Sequence, residues 1–269
     1  MGNIAGLPDR GVIELAGEDR VAFLQGLVSN DVEASAPGRA VWTGLLSPQG
    51  KYFADFFIFG EPDRLLLDCE AAQIPILVPK LSRYRLRAKV TLRTASEYAV
   101  YVGWNDATPI SGAAPDPRLP NAGWRAIAAP GALTNATPED WDLHRLALGL
   151  PDGSRDLELD KTLLLEAGFD ELNGLSWTKG CYMGQELTAR TKYRGLLKRR
   201  LVPVAIVGPL PPPGTAILRD GAEVGTMRSG RDGIGLAVIR LDSFAGPLTA
   251  GSAVLHARPA AWMRLPEPA

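Results

Sequence analysis

Short apolar runs separated by Gly, Pro, Asn and Asp dominate the first half of the chain, a pattern that reads as strands and turns. Val12–Leu15, Val41–Leu46, Lys51–Phe59, Leu65–Asp68, Val90–Arg93, Tyr98–Trp104 and Trp124–Ala128 are the strand candidates, with Ser47-Pro-Gln-Gly50 joining two of them as a hairpin. Val21, Phe23, Leu24, Leu27 and Val28 share a helical face, and Ala71–Tyr84 reads as a helix that must accommodate Pro75 and Pro79. Asn105–Gly123, rich in Pro and Gly, is predicted to be a loop excursion. Thr137-Pro-Glu-Asp140 starts a helix: Thr caps it, Pro suits the first turn, and the acids suit the dipole. Gly149 and Pro151 end it.

On that helix the apolar stripe is predicted to be Leu143, Leu146, Ala147 and Leu150, with Trp141, Arg145 and Leu148 on another stripe beside His144. Spacing alone favours Trp141 as a residue at the edge of the core and Arg145 as a residue reaching solvent; an aromatic and cationic platform for a flat anionic ligand is the alternative. Strand Lys51–Phe59 alternates Phe53, Asp55, Phe57 and Phe59 against Tyr52, Ala54, Phe56 and Ile58, so both faces are apolar and the strand should be buried on both sides. Asp55 is then a carboxylate among aromatics. It needs either a structural partner or a ligand.

Past residue 200 the texture changes. Val202–Val207, Thr215–Leu218, Glu223–Arg228, Ile234–Leu241 and Ala253–Ala257 are strands between tight turns, which predicts a separate antiparallel barrel or sandwich over 200–269 after an α+β region over 1–199.

Charge narrows the function only slightly, because 29 basic residues nearly cancel 30 acidic ones. No nucleic-acid or membrane partner is demanded, although bases cluster between Arg190 and Arg200; such a run is usually a solvated face. Two cysteines, Cys69 and Cys181, are too few for a disulfide framework and point to a reducing compartment. No secretory signal pattern opens the sequence and no run approaches the roughly 18 apolar residues of a membrane span, so a cytoplasmic protein is expected. A zinc site is not expected from two Cys and two His without carboxylates.

The segment Lys179-Gly-Cys-Tyr-Met-Gly-Gln-Glu186 carries the chemistry. Gly180 and Gly184 bracket Cys181, and Gln185-Glu-Leu-Thr-Ala-Arg190 reads as a helix. A cysteine just before a helix N-terminus and two residues from Lys179 is placed to form a thiolate, whereas a lone cysteine is otherwise most often inert and buried.

This octapeptide resembles the K-G-C-[FY]-x-G-Q-E signature of the YgfZ family, and Phe23-Leu-Gln-Gly-Leu-Val-Ser-Asn-Asp-Val32, Ser47-Pro-Gln-Gly-Lys51, Arg87-Ala-Lys-Val90 and Gly235-Leu-Ala-Val-Ile-Arg240 extend the resemblance over nearly the whole chain. The resemblance implies a T-protein-like α+β fold: two interlocked folate-binding subdomains, approximately 1–45 with 130–199 and 46–129, plus a C-terminal antiparallel β-barrel. It implies a tetrahydrofolate-binding accessory protein for assembly or repair of iron–sulfur clusters, with folate and iron–sulfur client or assembly proteins as partners and tRNA-modifying enzymes among the clients. Cys181 and Lys179 inherit the reactive position. Trp141, Glu166, Asp55, Tyr182, Gln185 and Glu186 inherit folate contacts, with Trp141 at a family folate-contacting Trp and Glu166 placed to accept from a pterin. Arg10 stands at or near a second Trp position, a departure from the pattern. The alternative is a tetrahydrofolate-dependent one-carbon (aminomethyl) transferase. Such enzymes carry two adjacent Asp where this chain has Ala54-Asp55, which argues against that activity.

Overall fold

A computed structural model describes residues 2–265. The apolar runs of the first half pair into two antiparallel sheets. One orders its strands β3-β4-β5-β2-β6, built from β2 (Arg10–Ala16), β3 (Ala40–Leu46), β4 (Tyr52–Gly60), β5 (Arg64–Glu70) and β6 (Thr91–Thr94). The other, β1-β7-β9-β8, takes β1 (Asn3–Gly6) from before that stretch and β7 (Ala99–Trp104), β8 (Ala113–Pro115) and β9 (Trp124–Ala128) from after it. The sheets cross the division expected at residues 45 and 46, because β3 and β4 come from either side of it and are paired neighbours. The expected loop excursion contains β8, which pairs with β9.

Strand β4 is buried on both faces, as its composition requires. One face packs Tyr52 and Phe57 with Trp42 and Phe169; the other packs Ala54, Phe56 and Ile58 under helices α1 (Arg20–Gln25) and α2 (Ile74–Tyr84). The simple alternation fails at one place. The β3–β4 register shifts between Leu45 and Leu46, so Phe53 is the extra residue of a bulge and Tyr52 turns to the face that holds Asp55. In α2 the two prolines are tolerated differently: Pro75 lies in the first turn and Pro79 lies within the helix.

Helix α3 (Pro138–Leu148) has the predicted ends: Thr137 and Asp140 form a capping box, and Gly149 closes it at φ 76°. Its buried face matches the predicted stripe only at Leu146 and Leu150. Trp141, Asp142, Arg145 and Leu146 are buried and Ala147 is exposed. Arg145, expected to reach solvent, is 1% exposed. Its guanidinium donates to Asp142 Oδ1 at 2.7 Å, to Asp156 Oδ2 at 2.6 Å and to Ser229 Oγ at 2.9 Å. Apolar periodicity misses such a face because charge pairing, not hydrophobicity, makes burial tolerable there.

After α4 (Gly153–Asp156) and α5 (Gln185–Tyr193), the chain closes a six-stranded antiparallel barrel in the order β10-β13-β12-β11-β14-β15. Its strands are β10 (Arg199–Val207), β11 (Ala216–Arg219), β12 (Ala222–Arg231), β13 (Ile234–Arg240), β14 (Leu248–Ala250) and β15 (Ala253–Ala257), and β15 returns to pair with β10. The barrel has its own core, including Val202, Ile217, Met227 and Leu255, and its wall contributes Ser229 and Arg231 to the charged seam against α3.

Removing one member of a buried ionic cluster strands the others. Arg145→Ala is therefore expected to lower unfolding stability by about 3–5 kcal/mol in urea denaturation. Ser229→Ala, which deletes one hydroxyl from the same cluster, should cost only about 1–3 kcal/mol.

Candidate functional site

The predicted site residues fall into two separate places. Asp55 and Trp141 line a central chamber where both sheets, α3 and the 151–156 turn converge. Cys181, Tyr182, Gln185 and Glu186 line an outer groove that shares no residue with it. Lys179 and Glu166 line neither.

The chamber is built around a shared carboxylate. Asp68, on β5, is fully buried; Arg10 Nε donates to its Oδ1 at 2.7 Å, and Arg125 Nη2 donates to its Oδ2 at 2.6 Å. Arg118 pairs with Asp116 at 2.7 Å and donates to the Pro151 carbonyl at 3.1 Å. Three guanidinium groups surround the Phe57 ring, with Arg125 4.1 Å, Arg118 4.9 Å and Arg10 5.9 Å from its centroid. Asp55 accepts from Trp42 Nε1 at 2.9 Å and from Tyr52 Oη at 2.8 Å, the second bond existing because of the β4 bulge. Burial pushes the Asp55 carboxyl above the ordinary carboxylate range, and the charge of Arg10 opposes that rise.

Trp141 packs edge-on against Trp104 at 5.6 Å and is 5% exposed, so it is both core and chamber wall. The room left inside is small, about 50 Å³. A vestibule of about 400 Å³ lies outside it, sharing Pro8, Asp9, Arg10, Asp152 and Arg155 with the chamber. Of the arginines of the chamber only Arg145 enters the sequence reading as a ligand contact, in the alternative of a platform for an anionic ligand. The five lie on β2, β9, α3, α4 and one loop, with no local spacing to connect them.

Glu166 is committed elsewhere. It accepts from the Leu163 amide at 3.1 Å and from Arg199 Nε at 2.8 Å, fixing the turn that leads into the barrel.

The groove holds about 640 Å³ between the Ser47–Gly50 turn and the start of α5. Its two walls are locked by backbone. Gly50 and Gly184 have φ of 78° and 79°, and a Cβ on Gly50 would lie 2.7 Å from the Gly184 carbonyl oxygen. A Cβ on Gly184 would lie 2.6 Å from the Ser47 oxygen, so both positions require glycine for conformation and for space. Cys181 is exposed on the loop before α5, whereas Cys69 is buried on β5 with its thiol pushed up to about 12 by burial. Tyr182 packs inward, and burial pushes its phenol up to about 12. The Gln185 side chain turns back to accept from the Tyr182 amide at 3.1 Å, so it shapes the loop at the helix N-terminus.

Lys179 does not turn to the thiol. Its ammonium donates to the carbonyls of Gln25, Val28 and Asn30 at 2.7, 2.8 and 2.8 Å, clasping the thiol loop to the end of α1. Burial pushes its pKa down to about 8, which still leaves it charged at neutral pH.

The architecture defines the class first. The fold superposes on the glycine cleavage system aminomethyltransferase T from Bartonella henselae with a TM-score of 0.78, covering 97% of this chain and 85% of that one at 13% identity. Residues 198–265 match the profile of the CAF17, C-terminal beta-barrel domain. The chain is 33% identical over 279 residues to human "Iron-sulfur cluster assembly factor IBA57, mitochondrial", covering 90% of this chain and 78% of that protein. The mouse protein of the same name is 32% identical over the same shares of the two chains. A homologue from Mycosarcoma maydis is 35% identical, and there the match covers 79% of this chain and 59% of the relative. The chain belongs to the IBA57 family.

Two outcomes follow from the geometry. Lys179→Met leaves three carbonyls without their donor and should cost about 1.5–3 kcal/mol in urea denaturation, with faster amide exchange across residues 176–184. His144 stacks on Trp104 and lies tilted against Trp141, and burial pushes it below its ordinary 6.5. Between its folded pKa and 6.5 the unfolded chain binds the extra proton, so stability should fall as pH drops through that window and level off below it. His144→Gln should flatten that slope in denaturation curves collected at successive pH values.

Proposed function

We propose that this chain serves iron–sulfur cluster assembly or repair as an accessory factor and that it works through the Cys181 groove. Family membership supports the process, since the relatives bear the name of cluster assembly factors. The observation that carries the site is the contrast between the two thiols: Cys69 is buried, while Cys181 is exposed at the rim of a groove whose walls are fixed by glycine packing and the Lys179 clasp. A rigid loop that presents a free thiol suits contact with a cluster-carrying partner better than it suits a packing role. The octapeptide supports placing the chain with YgfZ-type members, and tRNA-modifying cluster enzymes are reasonable clients. Two free cysteines agree with a reducing compartment such as the cytoplasm, although the matched relatives are named as mitochondrial.

Tetrahydrofolate fits the central site less well. The free space of the chamber, about 50 Å³, is confined between guanidinium groups and leaves a fused two-ring pterin little room. Asp55 already accepts two hydrogen bonds, and Glu166 faces the barrel junction. Folate binding with the pterin in the chamber would therefore require Arg10 and its neighbours to move. Aminomethyl transfer gains no support, since Ala54 supplies no second acid.

The test is complementation of cells lacking their own family member, with the activity of iron–sulfur enzymes as the readout. Cys181→Ser should lose most of the rescue while its thermal unfolding stays that of wild type, because the side chain is exposed. Full rescue by Cys181→Ser would sink the assignment of the groove as the working site.

A further inference from the structure

Arg10 and Arg125 share one carboxylate, and this leaves donors over. Arg10 uses Nε on Asp68 and Nη2 on the Asp68 carbonyl oxygen, while Arg125 uses Nε and Nη2 on Asp68 Oδ2. Among the described residues the Nη1 group of each donates to no acceptor, and Arg10 Nη1 stands 3.8 Å from Asp152 Oδ1. Both side chains are more than nine-tenths buried, at 7% and 3% exposure, and both line the chamber. Neither Nη1 is sealed from water, so both N–H groups open on the chamber, where a charged acceptor makes the stronger hydrogen bond; Asp9, Asp55, Asp142 and Asp152 also stand on that lining and confine any anion to the guanidinium side. Arg118 adds a third cation on the same wall, its own donors already consumed by Asp116 and Pro151.

We infer that the central chamber is a carboxylate receptor, in which Nη1 of Arg10 and Nη1 of Arg125 take the two oxygens of a ligand carboxylate head while the body of the ligand lies in the vestibule. The sizes agree. The chamber's confined space of about 50 Å³ suits a small head group such as a carboxylate. The vestibule of about 400 Å³ has apolar walls at Pro8, Ala71 and Ala72 and charged ones at Asp9, Arg10, Glu70, Asp152 and Arg155, which suits an extended organic body with hydrogen-bond donors. Arg10 is one of five residues that line both spaces, and among them it is the one whose free Nη1 meets the head. The inference concerns the chamber alone and does not depend on the Cys181 groove. If a folate occupies this hub without rearrangement, it does so through its glutamate tail and not through its pterin.

The experiment is calorimetric titration of the full chain with acetate, acetamide and p-aminobenzoylglutamate. Acetate should bind weakly but saturably, and acetamide, its uncharged isostere, should bind at least about tenfold more weakly, the factor expected for losing charge-assisted hydrogen bonds. The longer p-aminobenzoylglutamate should bind more tightly than acetate and be displaced by it. Arg125→Lys, which removes the planar fork, should weaken both carboxylates by about tenfold or more. Cys181→Ser should leave every titration unchanged. Should Arg125→Lys fail to fold, the comparison of acetate with acetamide on wild type still decides. Equal binding of acetate and acetamide, or no saturable acetate binding, would overturn the inference. So would tetrahydrofolate binding that acetate does not displace, an outcome that would leave the cluster-assembly reading untouched.

Discussion

The structure turns on one carboxylate. Asp68 sits on β5 of the five-stranded sheet with no exposure, and it holds Arg10 from its own sheet and Arg125 from the other. A buried aspartate with one partner removed would leave uncompensated charge in a low-dielectric interior, so the two sheets are tied to one register. The Phe57 ring extends the constraint, because the guanidinium groups that stack on it are positioned by Asp68 and Asp116. From there the ionic chain passes through Asp152 and Arg155 to Asp142 and into the barrel wall at Arg231. Hydrophobic burial supplies the bulk of the driving force. The paired charges select among the ways in which the layers could meet.

What could be read in the sequence, and what could not, divides along the same line. Strands and turns were legible, since apolar runs and Gly-Pro punctuation are local signals; the α+β body and the C-terminal barrel follow from them. The short β14 and β8 were missed because each has only three residues and little alternation. The Tyr52 bulge was invisible, because period two is the only prior available for a strand. Arg145 reads as a surface residue because, beyond Asp142 one helical turn away, its partners Asp156 and Ser229 lie 11 and 84 positions away. The octapeptide contains the exposed cysteine, yet nearness in sequence misled for Lys179, whose three acceptors come from residues about 150 positions earlier.

One hairpin serves both places of interest. The turn Ser47–Gly50 at its tip forms a wall of the groove, and the bodies of β3 and β4 carry Trp42, Tyr52 and Asp55 into the hub. Trp42 stacks on Phe169 at 4.0 Å, which packs the hairpin against the segment leading to the thiol loop. The groove and the chamber are thus supported by a common rigid element while differing in character. One offers an accessible thiol, the other a confined set of guanidinium donors.

The barrel has the look of a detachable module, since it closes on itself and a domain profile begins at residue 198. Its seam says otherwise. Ser229 and Arg231 reach α3, Arg200 holds Glu171, and Trp262 donates to the Leu148 carbonyl from beyond the last strand. A fragment cut at the profile boundary would leave Asp142 without Arg231, and Arg145 and Asp156 without Ser229. The barrel is therefore better regarded as a lid on the charged interior than as a passenger domain, and whatever reshapes its wall at β12 alters the electrostatic ceiling of the hub.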